Sequence, residues 1–149
     1  MALQIEVISD VVCPWCFIGK RRLEEALRRR AADADAGTAS VRWRPFQLNP
    51  DLPEAGMARA DYVARKFGDR AGQIYARVAG VGTSVGIDFA FERIARQPNT
   101  LAAHQLIAFA ESASGPGQDA MVERLFRGYF LDGADLTDAQ VLLDLAADA

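Results

Sequence analysis

The sequence predicts an α/β fold in which one parallel strand–helix–strand unit is followed by helices alone. Three observations carry this. A short apolar run, Leu3 to Ser9, leads into a charged amphipathic stretch, Ile18 to Arg30. A second apolar run follows at Val41, Trp43 and Pro45–Phe46. From Met57 onward the apolar residues recur at helical rather than strand spacing. At 149 residues and 50% hydrophobic, the chain is long enough for one core and short for two.

Each element has a local cause. Leu3, Ile5, Val7 and Val11–Val12 predict a buried strand ending near Ser9-Asp10. Gly19, Leu23, Ala26, Leu27 and Arg30 give the next helix a narrow inward stripe. Its outer face pairs Lys20 with Glu24, Arg21 with Glu25, Glu24 with Arg28 and Glu25 with Arg29. Asp33 to Gly37 ends it, and the spacing to strand two makes the pair parallel with a right-handed crossover. A turn-rich loop, Asn49 to Gly56, divides residues 1–56 from a helical region over 57–149. There Ala58 to Phe67 reads as one helix, and Ile74, Val78, Val81 and Val85 as a second, stopped at Gly86. Asn99 or Thr100 caps a third reaching about Ala113, with Ala103, Leu106, Ile107 and Ala110 inward. Gly115-Pro116-Gly117 breaks the chain before a fourth, whose inward face is Val122, Leu125, Phe126, Tyr129 and Phe130. Thr137-x-x-Gln140 has the pattern of a capping box for the last.

A net charge of −3 argues against nucleic acid or an anionic membrane as the partner. No apolar run approaches the roughly 18–20 residues needed to span a bilayer. The opening residues carry no basic segment followed by an apolar one, so a cytoplasmic protein is expected.

The only two cysteines stand three apart in Cys13-Pro14-Trp15-Cys16, at the predicted strand-to-helix junction. Free backbone N–H groups and the helix dipole favour a thiolate there. Cys13 is the expected nucleophile with a lowered pKa, and Cys16, one turn further in, the more buried resolving thiol. Pro14 suits the first helical position because it has no N–H to leave unpaired. An inert local disulfide is the bland alternative. A zinc site needs two further soft ligands, and with only His104 to add, no metal is expected.

These residues carry a resemblance. Ser9 through Arg21 with the CPWC motif, Trp43-Arg44-Pro45-Phe46-Gln47-Leu48-Asn49-Pro50, Pro98-Asn99-Thr100 with His104, and Leu125-Phe126 through Tyr129-Phe130 together resemble the DsbA branch of the thioredoxin superfamily. More narrowly they resemble the FrnE-like oxidoreductases, relatives of 2-hydroxychromene-2-carboxylate isomerase and the kappa-class glutathione transferases. The resemblance implies a thioredoxin-like βαβ unit with an all-helical DsbA-type insertion. It also implies thiol–disulfide oxidoreductase activity on protein or small-molecule thiols, with no bound cofactor and glutathione as a co-substrate. Such domains end in two more strands and a helix, with a cis-proline facing the cysteines. None of the six prolines here fits that place. The C-terminal strands and helix are therefore expected to be absent, with the exposed strand edge completed by another chain or a homodimer.

Four more residues are candidates around the thiols, each with a plainer alternative. Trp15 shields or tunes the sulfurs, or packs at a helix start. Asp10 accepts a proton near Cys16, or is a solvated turn former. His104 faces the cleft between insertion and cysteines, or is a hydrogen-bonded structural residue. Asn49 contacts a substrate or thiol ligand, or caps a turn. Two other functions stand beside the redox one. A glutathione-dependent isomerase or transferase on this scaffold uses a hydroxyl where Cys13 stands. A non-enzymatic remnant or interaction module is motivated by the expected missing third.

Overall fold

Strands β1 (Leu3–Ser9) and β2 (Ala39–Pro45) pair in parallel, with Ile5 opposite Val41 and Val7 opposite Trp43. Helix α1 (Pro14–Ala31) joins them, so the predicted βαβ unit forms. This computed structural model describes residues 2–112 and 117–149. The expected break at Gly115-Pro116 lies outside the described residues, and Gly117 takes a φ of 89° before the next helix.

β1 is not the buried strand its composition predicts. Ile5 and Val7 are half-buried, whereas Leu3 and Ile8 are exposed, Ile8 by 69%. Among the described residues the sheet is two strands wide, and the helices cover the face that carries Val7 and Trp43. Val11 and Val12 are buried, but in the turn that follows the strand.

The inward stripe of α1 is also shifted. Gly19 and Ala26 face solvent, while Phe17, Ile18 and Lys20 are buried. Phe17 sets this rotation, because its ring stacks on Phe126 at 4.9 Å and on Phe130 at 6.2 Å. Lys20, predicted to sit in water, is 3% exposed. Its ammonium pairs with Glu24, with Asp119 at 3.1 Å and with Glu123 at 3.2 Å. Arg21 joins the network through Glu123 at 2.5 Å. A buried cation persists only when matched in this way. Lys20→Met leaves three carboxylates with Arg21 alone, and is expected to cost about 2 kcal/mol in urea unfolding, an amount below a fully buried pair because the carboxylates are partly solvated. A change below about 0.5 kcal/mol would mean the network carries no net stability.

The helical region contains α2 (Arg59–Phe67), α3 (Ala71–Ser84), α4 (Leu101–Ala110), α5 (Gln118–Arg127) and α6 (Ala139–Ala147). It is not helices alone. β3 (Met57–Ala58) and β4 (Arg96–Gln97) form a short antiparallel pair that ties the start of α2 to the segment before α4. α3 ends where expected, with Gly86 at φ 78°. The predicted face on α5 holds throughout: Val122, Leu125, Phe126, Tyr129 and Phe130 are all buried, the last two in a wider helical turn over Gly128–Asp132. α6 is capped by Asp138 rather than Thr137. The Asp138 carboxylate accepts from the Gln140 and Val141 N–H groups, while Thr137 turns back to Asp135 at 2.6 Å. One core runs across residue 56, joining Val11, Phe17, Ile18 and Trp43 to the α4–α6 side chains.

Candidate active site

Cys13 is the N-cap of α1, in extended backbone (φ −94°, ψ 110°), and Pro14 is the first helical residue. The Cys13 carbonyl accepts the Cys16 N–H at 3.0 Å, which closes the first turn and brings the two side chains to one side. Both cysteines are free thiols and half-buried. They differ in surroundings. Cys13 lines an open cleft, whereas Cys16 packs against the hydrophobic core.

The two thiols lie close enough to perturb each other's ionisation. Hydrogen bonding from the Cys13 thiol lowers Cys16 to about 6, and the Asp10 backbone and Ser9 hydroxyl act in the same direction against burial and the Asp10 charge. The same contact, with burial, pushes Cys13 up. The Cys16 and Trp15 backbone groups lower Cys13, but its side chain forms no capping hydrogen bond, so they act as nearby dipoles only. The pair titrates as a unit, so its low ionisation belongs to the two sulfurs together.

A stability consequence follows. A thiol whose folded pKa lies below its ordinary value stabilises the folded state above that ordinary value, and loses the contribution as pH falls through the folded one. The reduced protein should thus gain resistance to urea between about pH 6 and pH 9. A Cys13→Ser, Cys16→Ser double variant should lack this increment. Equal pH dependence in the two proteins would show that the pair is not perturbed.

Asp10 is not a solvated turn former. It is 2% exposed, and its carboxylate accepts the Leu48 N–H at 2.8 Å. Its other oxygen lies 3.1 Å from His104 Nε2, which is also 3.0 Å from the Phe46 carbonyl. Both neighbours of that nitrogen are acceptors, so Nε2 carries the hydrogen and donates to them. His104 is buried and bound within this network, and is not among the residues lining the cleft beside Cys13. The structure thus brings Asp10, His104 and Cys16 into one neighbourhood beneath the thiols. Asn49 is not brought to the sulfurs by any hydrogen bond, and its side-chain nitrogen is buried without a partner. Trp15 is 46% exposed and, with Pro14, forms the rim of the cleft.

That cleft measures about 300 Å³. One wall is Val12, Cys13, Pro14, Trp15 and Leu48; the other is Arg59, Tyr62, Lys66 and Phe67 of α2 with Ile74, Tyr75 and Val78 of α3. Sequence reasoning missed the α2 wall. Its signal is the spacing Arg59, Tyr62, Lys66, which puts two cations and an aromatic ring on one helical face. Among the described residues, no group of three or more His, Cys, Asp or Glu is placed to hold a metal ion. No helix there is long and apolar enough to cross a membrane.

A family model for the DSBA-like thioredoxin domain matches residues 4–149. YwbO of Bacillus subtilis, an uncharacterized protein, is 25% identical over 148 residues, which is 99% of this chain and 66% of YwbO. A solved structure described as a probable DsbA oxidoreductase of Streptomyces coelicolor matches with a TM-score of 0.82 and 25% identity, over 98% of this chain and 62% of that one. The cytosolic disulfide reductase DsbM of Pseudomonas aeruginosa, solved with GSH, shares the fold with a TM-score of 0.56 and 17% identity, over 99% of this chain and 64% of DsbM. The chain therefore spans 66% or less of the length of these relatives. The family match runs through residue 149, so the expected truncation of the domain is not borne out and the absence of its last strands and helix is not confirmed.

Proposed function

The chain belongs to the DSBA-like thioredoxin domain family, and from that membership we propose that it is a thiol–disulfide oxidoreductase worked by Cys13 and Cys16. The observation that carries this is the asymmetry of the pair: Cys13 lines the cleft and Cys16 packs on the core behind it.

The steps balance as ordinary thiol–disulfide exchange. A proton passes from Cys13 to Cys16 along their contact, leaving the thiolate on Cys13 beside the first amides of α1. That thiolate attacks one sulfur of a substrate disulfide, the substrate S–S bond breaks, and one thiolate leaves. Cys16 then passes its proton to the thiolate already released, attacks the Cys13 sulfur of the mixed disulfide, and expels the second thiolate as the mixed S–S bond breaks. The cysteine pair is oxidised by two electrons and the substrate disulfide reduced by two; the reverse sequence oxidises a substrate dithiol. The buried Asp10 charge opposes a thiolate on Cys16 but is the least of the influences on it, outweighed by the Cys13 contact in the resting pair. His104 holds Asp10 in place by donating to it, and is a positioning residue.

Glutathione is the co-substrate this reading takes, as either thiol or disulfide, and the cytoplasm its compartment, as for the Pseudomonas neighbour. A cysteine where the related isomerases and transferases use a hydroxyl weighs against that chemistry. Glutathione disulfide added to the reduced protein should remove both thiols from alkylation together and lower the intact mass by two hydrogens. Thiols that persist unoxidised at high glutathione disulfide would refute the assignment.

A further inference from the structure

We propose that Arg59 and Lys66 form a carboxylate-binding subsite across the cleft from Cys13, so that the preferred substrate is a small disulfide bearing a carboxylate. The proposal rests on the redox reading above and narrows it to a substrate class.

Arg59 is the unusual residue. It is half-buried, and every partner it has is neutral. One guanidinium nitrogen donates to the Gln97 side-chain oxygen and to the Tyr129 hydroxyl at 3.3 Å, the other to the Tyr75 hydroxyl at 2.7 Å. The rings of Tyr62 and Tyr75 lie 5.6 Å and 5.3 Å from its central carbon. No carboxylate lies within salt-bridge distance of it among the described residues. The other inward cations are treated differently: Lys20 meets Asp119 and Glu123, and Arg21 meets Glu123 and Glu24. Tyr75 and Tyr129 do not supply the missing negative charge. Burial raises both phenols, and Arg59 only partly offsets it, so they stay protonated and the guanidinium keeps its full charge.

Lys66 stands two turns along the same face. Its ammonium lies 2.8 Å from the Tyr62 hydroxyl and over the Tyr62 and Phe67 rings, again without a carboxylate partner among the described residues. In an acidic protein, two cations facing one aromatic cleft without a counter-ion leave a site whose charge is matched only when an anion enters. The geometry also fixes size. A cleft of about 300 Å³ is at the small end of ligand pockets, suited to a low-molecular-weight ligand. A disulfide whose sulfur meets Cys13 would set its carboxylate toward α2, while Leu48, Phe67 and Ile74 cover the carbon chain between. Attack by Cys13 would then proceed as written above, with the carboxylate unchanged.

The test compares oxidation rates of the reduced protein by three small disulfides: dithiodipropionate, hydroxyethyl disulfide and cystamine, which carry carboxylates, no charge and amines. Rates are corrected for each disulfide's reaction with a free model thiol. The anionic disulfide should react faster than the neutral one by about tenfold, as one charge-assisted contact predicts, and cystamine slowest. Added salt should shrink the preference. Lys66→Gln, an exposed change, should cut the ratio of the anionic to the neutral rate severalfold. Arg59→Lys tests the fork geometry, and Lys66→Gln keeps the test decisive if that variant fails to fold. Equal corrected rates for the three disulfides overturn the subsite, as does a preference that Lys66→Gln leaves intact. A preference seen only with disulfide-linked acidic peptides overturns the small-ligand assignment. Failure of all three disulfides to oxidise the pair refutes the redox reading instead.

Discussion

A Cys16→Ala variant should accumulate a stable covalent adduct at Cys13 when mixed with glutathione disulfide, and a Cys13→Ala variant should not. The difference follows from where the two sulfurs sit. Cys13 lines the cleft that a disulfide can enter, and Cys16 lies against the core beneath it. Removing the resolving sulfur stops the sequence after the first exchange, so the mixed disulfide has no internal route to release. Either variant should lose disulfide turnover by roughly a thousandfold or more, since nucleophile and resolver act as a unit. Intact mass after a brief exposure reads the adduct, and peptide mapping assigns its position. An adduct on Cys16 in the Cys13→Ala protein, formed as fast as the Cys13 adduct, would reverse the roles. The Cys16→Ala change also removes the partner that raises Cys13. Alkylation of Cys13 in that variant should therefore begin at lower pH than the second ionisation of the intact pair, because the amides of the first turn then act without the competing thiol.

Phe17→Ala should be the most damaging single truncation near the site. Phe17 directly follows Cys16, is fully buried, and stacks on Phe126 while meeting Phe89 edge-on at 6.0 Å. Arg21 lies over the same ring at 4.8 Å. Losing an aromatic side chain from such a cluster costs about 3–5 kcal/mol, the transfer energy plus the cavity left behind. Urea unfolding measures it, and Phe17→Leu should recover more than half by refilling the space. The functional consequence is specific. The ring holds the first turns of α1 against α5, so its loss should loosen the register of Cys16 against Cys13 and Asp10. Pair oxidation should slow even in conditions where the variant remains folded. A loss under about 1 kcal/mol would mean the stack does not anchor the cysteine helix.

Much of the fold was legible because its causes are local. The period of Val122, Leu125, Phe126, Tyr129 and Phe130 names a buried helical face, and all five are buried. Pro14 and the turn before it mark the start of α1, and the spacing of two apolar runs about one helix implies their parallel pairing. The misreadings share a different cause. Lys20 reads as a surface residue until Asp119 and Glu123, a hundred residues away in α5, are packed against it. Leu3 reads as core, yet it is exposed, because strand composition says nothing of which face a neighbour covers. Thr137 reads as the cap of α6, and the path of the chain into that helix gives the place to Asp138 instead.

The same division holds at the site. The amino-acid order alone determined that two thiols stand one turn apart where a helix begins, since adjacency in the chain suffices to place them. Tertiary structure decided which sulfur lines the cleft and which packs on the core, joined Asp10 to His104 across 94 positions, and set the Arg59 face opposite Cys13. Those outcomes depend on how α2 and α4 pack against α1, and packing is settled by the shape and burial of the whole core, which no local run of residues contains.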